Sequence, residues 1–139
     1  MAKTVLNIEY DFDFWLVGIS SYLRDYRISW SLNKTLDIEL KKENDYEITH
    51  KKPDNSQFFS HYSYICEQTK RIYHLFANKC PTGLLLPEVK HADYLLMLEG
   101  NFNDQNIEEL CKLVRETENI NTVFNIDVET LKSKKNLIF

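Results

Sequence analysis

Apolar and polar positions along this chain follow periods that predict most of its elements. Over residues 4–10, Leu6, Ile8 and Tyr10 face one way and Asn7 and Glu9 the other, which predicts a first strand. Asp11 or Asp13 can then accept hydrogen bonds from the first N–H groups of a helix expected over 13–35. On a wheel of about 100° per residue, Phe12, Trp15, Leu16, Ile19, Leu23, Tyr26 and Trp30 share one broad face, the expected core face. Phe14, Val17, Ile28 and Leu32 gather nearly opposite, close to Ser21, Arg24 and Asp25. Either such a helix is sandwiched between two layers, or its second face meets another chain.

Beyond it the period shortens to two. Leu36, Ile38 and Leu40 alternate with Asp37, Glu39 and Lys41, a polar Lys42-Glu43-Asn44-Asp45 turn follows, and alternation resumes over 46–49. Lys51-Lys52-Pro53-Asp54-Asn55-Ser56 reads as a solvated loop, since Pro fixes φ and the short polar side chains bond locally to the backbone. Strands over 57–66 and 71–78, joined by the polar Glu67-Gln68-Thr69-Lys70, predict an antiparallel hairpin. Pro87 splits the next apolar run into a short edge strand or plug at Leu84–Leu86 and a buried strand at about 92–99, ended by Gly100. Ile107, Leu110, Cys111 and Val114 fall at i, i+3, i+4 and i+7 of a second helix, with Asn103 or Asn106 as its cap, the latter paired with Glu109. A last strand over 121–126 completes a strand, helix, strand unit, and Asp127 can cap a short turn through Thr130.

The prediction is one α+β domain over 1–139 with no separate linker: a mainly antiparallel sheet of about six strands packed against two helices. A chain of 139 residues can bury roughly two thirds of its unfolded surface without disulfides or metal. With 43% hydrophobic and 27% charged residues it lies far from the composition of disordered chains. A net charge of −4 argues against nucleic acid as the partner. Met1–Asn7 lacks the apolar stretch of a signal peptide, and no run of about 18 apolar residues could span a bilayer, so a cytoplasmic chain without a membrane role is expected. Cys66, Cys80 and Cys111 are odd in number and without C-x-x-C spacing, which indicates neither a disulfide framework nor a zinc knuckle.

The densest apolar stretch also carries the most chemistry. Leu86-Pro87-Glu88, three residues, then Ala92-Asp93-Tyr94 resembles the signature of the bacterial IPExxxVDY family. The likeness extends to Phe14–Ser21, Asp25–Ile28, Leu32–Lys34, Ile126-Asp127 and Leu131–Leu137, nearly the whole chain. Leu86 stands where the signature has Ile and Ala92 where it has Val, both apolar exchanges, the second leaving less bulk beside the strand. The resemblance implies no catalytic residues, and none are assigned from it.

Read from the residues alone, Glu88, His91 and Asp93 are the best chemical candidates, since two carboxylates and an imidazole can hold a divalent metal or exchange protons if the backbone turns them together. The structural alternative, which the spacing favours, has Glu88 and Asp93 accepting loop N–H groups or pairing with lysines. His61 and His74 can meet across the hairpin and, with His50, present a metal-binding face, although no H-E-x-x-H spacing supports one. Cys80 and Cys111 read as packed thiols, and three glycines without a phosphate-binding motif make a nucleotide loop a poor fit. Arg24 and Arg27 can grip an anion or serve in ordinary helix-surface pairs. The terminal Leu137-Ile138-Phe139 should dock on the body or on a second subunit. No metal or cofactor is expected. The leading expectation is a non-enzymatic cytoplasmic interaction module that self-associates, most simply as a homodimer, through Phe14, Val17, Ile28, Leu32 and the terminal three residues. A small enzyme or ligand-binding protein built on Glu88, His91 and Asp93 is the alternative.

Overall fold

The computed structural model describes residues 13–49 and 56–137. The strand expected over 4–10, His50, residues 51–55 of the expected loop, and Ile138 and Phe139 lie outside the described residues. Among the described residues strand β1 (Trp15–Ser20) comes first, and helix α1 (Asp25–Leu36) follows after a turn. The single helix expected over 13–35 is therefore corrected to a strand and a helix. Leu16, Val17 and Ile19 are apolar because β1 is buried on both faces, and a short continuous apolar run fits strand and helix periods alike. Gly18 belongs to the strand for a packing reason: a Cβ there would lie 2.6 Å from the Phe124 ring that crosses it.

Ser21 turns the chain out of the strand, its hydroxyl donating to the Asn119 carbonyl at 2.7 Å and accepting the Leu23 N–H at 3.2 Å. Asp25, not Asp13, is then the acid of the first helical turn; its carboxylate takes the Tyr26 N–H at 2.9 Å and the Tyr62 hydroxyl at 3.3 Å. With Trp15, Leu16 and Ile19 in a strand and not on the helix, the face of α1 that enters the core is the opposite one. Ile28 and Leu32 are fully buried, whereas Tyr26 and Trp30, expected in the core, are exposed. The helix ends at Asp37, which adopts φ 55° and returns its N–H to the Asn33 carbonyl.

Asn33 explains a second departure. Its side chain accepts the Leu40 N–H at 2.7 Å and donates to the Leu40 carbonyl at 3.2 Å. Ile38 and Leu40 are buried as their alternation predicts, but the amide of Asn33 stands where a neighbouring strand would be. Ladder pairing begins only at β2 (Lys41–Lys42), against β5 (His61–Cys66). Short β3 (Tyr46–Ile48) pairs with β4 (Gln57–Phe59). The expected hairpin forms from β5 and β6 (Arg71–Ala77), with Cys66 opposite Arg71 across the four-residue turn 67–70. A small hairpin of β7 (Lys79–Cys80) and β8 (Gly83–Leu84) precedes β9 (Tyr94–Gly100).

Helix α2 (Asp104–Arg115) starts on a capping box in which Asn103 accepts the Asn106 N–H at 2.8 Å and Asn106 accepts the Asn103 N–H at 3.2 Å. Asn103 is thus the cap, and Glu109 takes no part in it. Strand β10 (Thr122–Ile126) and two 3-10 turns, Val128–Thr130 and Lys134–Leu137, follow, the first capped as expected by Asp127 accepting the Glu129 N–H.

The six main strands lie in the order β10-β1-β9-β6-β5-β2, each pair of neighbours antiparallel, and with the two helices among the described residues this is an α+β fold. Since β1 runs antiparallel to both β9 and β10, those two strands are parallel to each other with β1 between them. Both sheet faces are covered. Leu96 and Leu98 of β9 pack towards Ile28, Leu32, Ile107, Leu110, Cys111 and Val114 of the helices. Leu95 and Met97 pack the other way, onto Phe59, Phe76, Leu85, Leu86, Leu131 and Leu137. Two-sided burial is why β9 shows an unbroken apolar run, each such side chain contributing roughly 1.5–3 kcal/mol.

Candidate functional site

The signature segment is organised around a residue outside it. Asn78, fully buried, directly follows β6, and every polar atom it has is paired. Its Nδ2 donates to the carbonyls of Val89 at 3.0 Å and Ala92 at 2.9 Å, and its Oδ1 accepts the Leu86 N–H at 2.8 Å. Its backbone N–H donates to the Asp93 carbonyl at 2.9 Å, and its carbonyl accepts the Leu85 N–H at 2.8 Å. One side chain thus stands in for a strand that Pro87 prevents from forming. Leu85 and Leu86 become a buried plug, and Asn136 secures it from the far end by donating to the Leu85 carbonyl at 2.8 Å. Tyr46 donates its hydroxyl to the Asn136 carbonyl, and burial pushes that phenol up to about 12.

The three candidate residues go separate ways. Glu88 accepts the backbone N–H of Ser133 at 2.8 Å and the Ser133 hydroxyl, so it ties the C-terminal segment to the plug. The Ser133 hydroxyl holds the Glu88 carboxyl below its usual range; burial opposes it, and backbone N–H groups add to the lowering. Asp93 accepts the Ser21 N–H at 2.8 Å and the Lys79 ammonium at 2.7 Å, joining the start of β9 to the end of β1 and to β7. His91 is exposed between them. Among the described residues, no group of three or more His, Cys, Asp or Glu side chains is placed to hold a metal ion.

Searched against protein families and against curated proteins, the chain matches none.

His61 and His74 do meet across the hairpin, Nε2 of the first 3.0 Å from Nδ1 of the second, with Phe76 stacked on His61 at 4.5 Å between ring centroids. Burial, and then the charge of His61, draws His74 down to about 4. Burial lowers His61 too, against the attraction of Glu43. The pair is built to stay neutral. Cys111 is buried on the core face of α2, and burial raises its thiol. Cys66 is held the other way by the Thr69 hydroxyl and nearby N–H groups, which favour its thiolate at the hairpin turn.

Four of the seven expected interface residues face inward. Val17, Ile28, Leu32 and Leu137 are buried within the chain, and half-buried Phe14 packs on the face of the sheet that carries Leu95 and Met97. The surface that α1 presents instead carries Tyr22 at 74%, Tyr26 at 63% and Trp30 at 54% exposure. Arg27 and Lys34 sit over the Trp30 ring, 5.2 and 5.3 Å from its centroid. Where α1 meets α2, a groove of about 150 Å³ is lined by Leu36, Phe102, Leu110 and Leu113 together with the polar Arg71, Tyr73, Asn106 and Glu109. Sequence reasoning missed this surface because the helix start was misplaced. It missed Asn78 because an Asn after a strand ordinarily signals a turn.

Proposed function

We propose that the chain is a non-enzymatic cytoplasmic interaction module, akin to the bacterial IPExxxVDY family, that self-associates as a homodimer. The observation that carries this reading is the set of exposed rings at the first helix: Tyr26 and Trp30, one turn apart on α1, and Tyr22 just before it, each more than half exposed. Aromatic side chains with arginine beside them are enriched at protein interfaces, where a large rigid ring is withdrawn from water at little entropic expense. The Tyr22 hydroxyl donates to Asn119 at 2.7 Å, so that ring is held in place before any partner arrives. Further support comes from Glu88 and Asp93, whose carboxylates are engaged in backbone and lysine contacts, a structural use of the signature. The reading requires no metal, cofactor, nucleic acid or membrane. Light scattering after size exclusion tests it: the expected mass at high micromolar concentration is twice the 16.6 kDa of one chain, and a strictly monomeric mass would overturn it.

A further inference from the structure

One edge of the main sheet carries exposed backbone and no charge. We propose that residues 4–10, which precede the described residues, add to β10 at that edge as a seventh strand, parallel to β10 and antiparallel to β1. β10 ends the sheet order, and no strand lies beyond it among the described residues. Ile19 turns its carbonyl to the Asp93 N–H on the β9 side, so Gly18 faces β10, and its partner Phe124 faces back to β1. Val123 and Asn125, alternating with Phe124, therefore present their N–H and carbonyl groups outward. The Arg115 guanidinium takes the Val123 carbonyl at 3.1 Å from that outer side, which leaves both N–H groups and the Asn125 carbonyl without a partner among the described residues. Edges in that state invite pairing and are ordinarily blunted by charge: the opposite edge, β2, is Lys41-Lys42, whereas β10 reads Thr-Val-Phe-Asn-Ile. Phe124 and Ile126 are only part-buried on the same strand, so apolar flank as well as backbone is left for a neighbour.

Chain length and connectivity select the occupant. Leu6, Ile8 and Tyr10 alternate with Asn7 and Glu9, the pattern of a strand with one apolar face, and that face suits the flank of Phe124 and Ile126. β1 begins beside the end of β10, with Leu16 opposite Ile126. A strand laid parallel to β10 finishes at that corner, about 10 Å from β1 across β10, and residues 11–14 span up to about 14 Å when extended. Laid antiparallel to β10 it would finish near Thr122, roughly 17 Å further along the sheet and beyond their reach. The crossing passes over a groove of about 400 Å³ lined by residues 14–16 and 125–129, five of these eight apolar. An edge closed in this way leaves the exposed rings at α1 as the surface for a second copy.

Amide hydrogen exchange and nuclear Overhauser contacts, both measured on the full chain, test the seventh strand. In the wild type the Val123 and Asn125 amides should exchange at least about tenfold more slowly than in the variant Leu6→Asp/Ile8→Asp, with the β9 amides equally protected in both as the sign that the variant folds. Contacts should also join the Leu6 and Ile8 methyl groups to the side chains of Phe124 or Ile126, a readout that needs no substitution and decides the matter if the variant fails to fold. Absence of these contacts, or Val123 and Asn125 amides that exchange as fast in the wild type as in a folded variant, would overturn the proposal. Protection that survives the variant and grows with protein concentration would overturn it too, and give the edge to β10 of a second copy.

Discussion

Replacing Asn78 with alanine removes three side-chain hydrogen bonds at once: those to Val89, to Ala92 and from Leu86. The Val89 carbonyl still receives the Ala92 N–H at 3.1 Å, so the groups left without any partner are the Leu86 N–H and the Ala92 carbonyl. Each buried orphan costs about 1–3 kcal/mol, and the void left by the carboxamide adds to that. The expected loss is about 3–6 kcal/mol, a large part of the 5–15 kcal/mol that typically holds a domain together. In urea, with a slope of roughly 2 kcal/mol per molar, the unfolding midpoint should fall by about 2 M, read by far-ultraviolet circular dichroism. Asn78→Asp sharpens the argument. It retains the acceptor for Leu86 but aims a carboxylate at two carbonyls, so burial and repulsion raise the introduced carboxyl above its unfolded value. An acid raised in the folded state is least harmful when protonated, so this variant should recover relative to wild type as pH falls towards 4 and worsen as pH rises. A loss below about 1 kcal/mol for Asn78→Ala, or a pH-independent penalty for Asn78→Asp, would refute the account.

Three further outcomes are expected. With His74 drawn down to about 4 and His61 also lowered, unfolded imidazoles take up protons between about pH 6.5 and 4 that the folded pair refuses; stability should fall over that window by about 2 kcal/mol, after allowance for partial exposure, and His74→Gln should flatten the profile. An unfolding midpoint in denaturant that does not move across that range would count against the pair. Gly18→Ala places a methyl 2.6 Å from the Phe124 ring and should destabilise by about 1–3 kcal/mol, with Phe124→Leu recovering part of the loss in a double-mutant cycle. Independent, additive effects would show that the two residues do not press on each other. Glu88→Gln weakens the hold on Ser133 and should speed hydrogen exchange over 131–137 while leaving β9 protected; uniform protection would show that Glu88 is not the tether.

The parts of the fold that could be read in advance are those where one period dominates. Ile107, Leu110, Cys111 and Val114 define α2 because only one face of it is buried, and His61–Ala77 reads as a hairpin because its turn is plainly polar. The pattern fails at β1, where burial on both sides removes any alternation, and again at Ile38 and Leu40, where inward-facing residues are held by Asn33 and not by a strand. The candidate site was legible in its acids but not in its centre. Glu88 and Asp93 announce themselves by charge, whereas Asn78 acts through distances to Leu86, Val89 and Ala92 that no local spacing encodes. Which face of α1 turns outward could not be read while Trp15, Leu16 and Ile19, which belong to a strand, were counted on its wheel.

Strand β1 carries a consequence for how the chain is made. Ile19 pairs with Val123, about a hundred residues later, and with Tyr94 on its other edge. At ribosomal rates of about 5–20 residues per second, β1 waits roughly 5–20 s after its own synthesis for β10 to be made. Folding of this sheet must therefore wait for β10 and proceed through contacts of long sequence separation, a topology that slows folding. During that interval the apolar run Trp15–Ile19 lacks the strand that covers one of its edges.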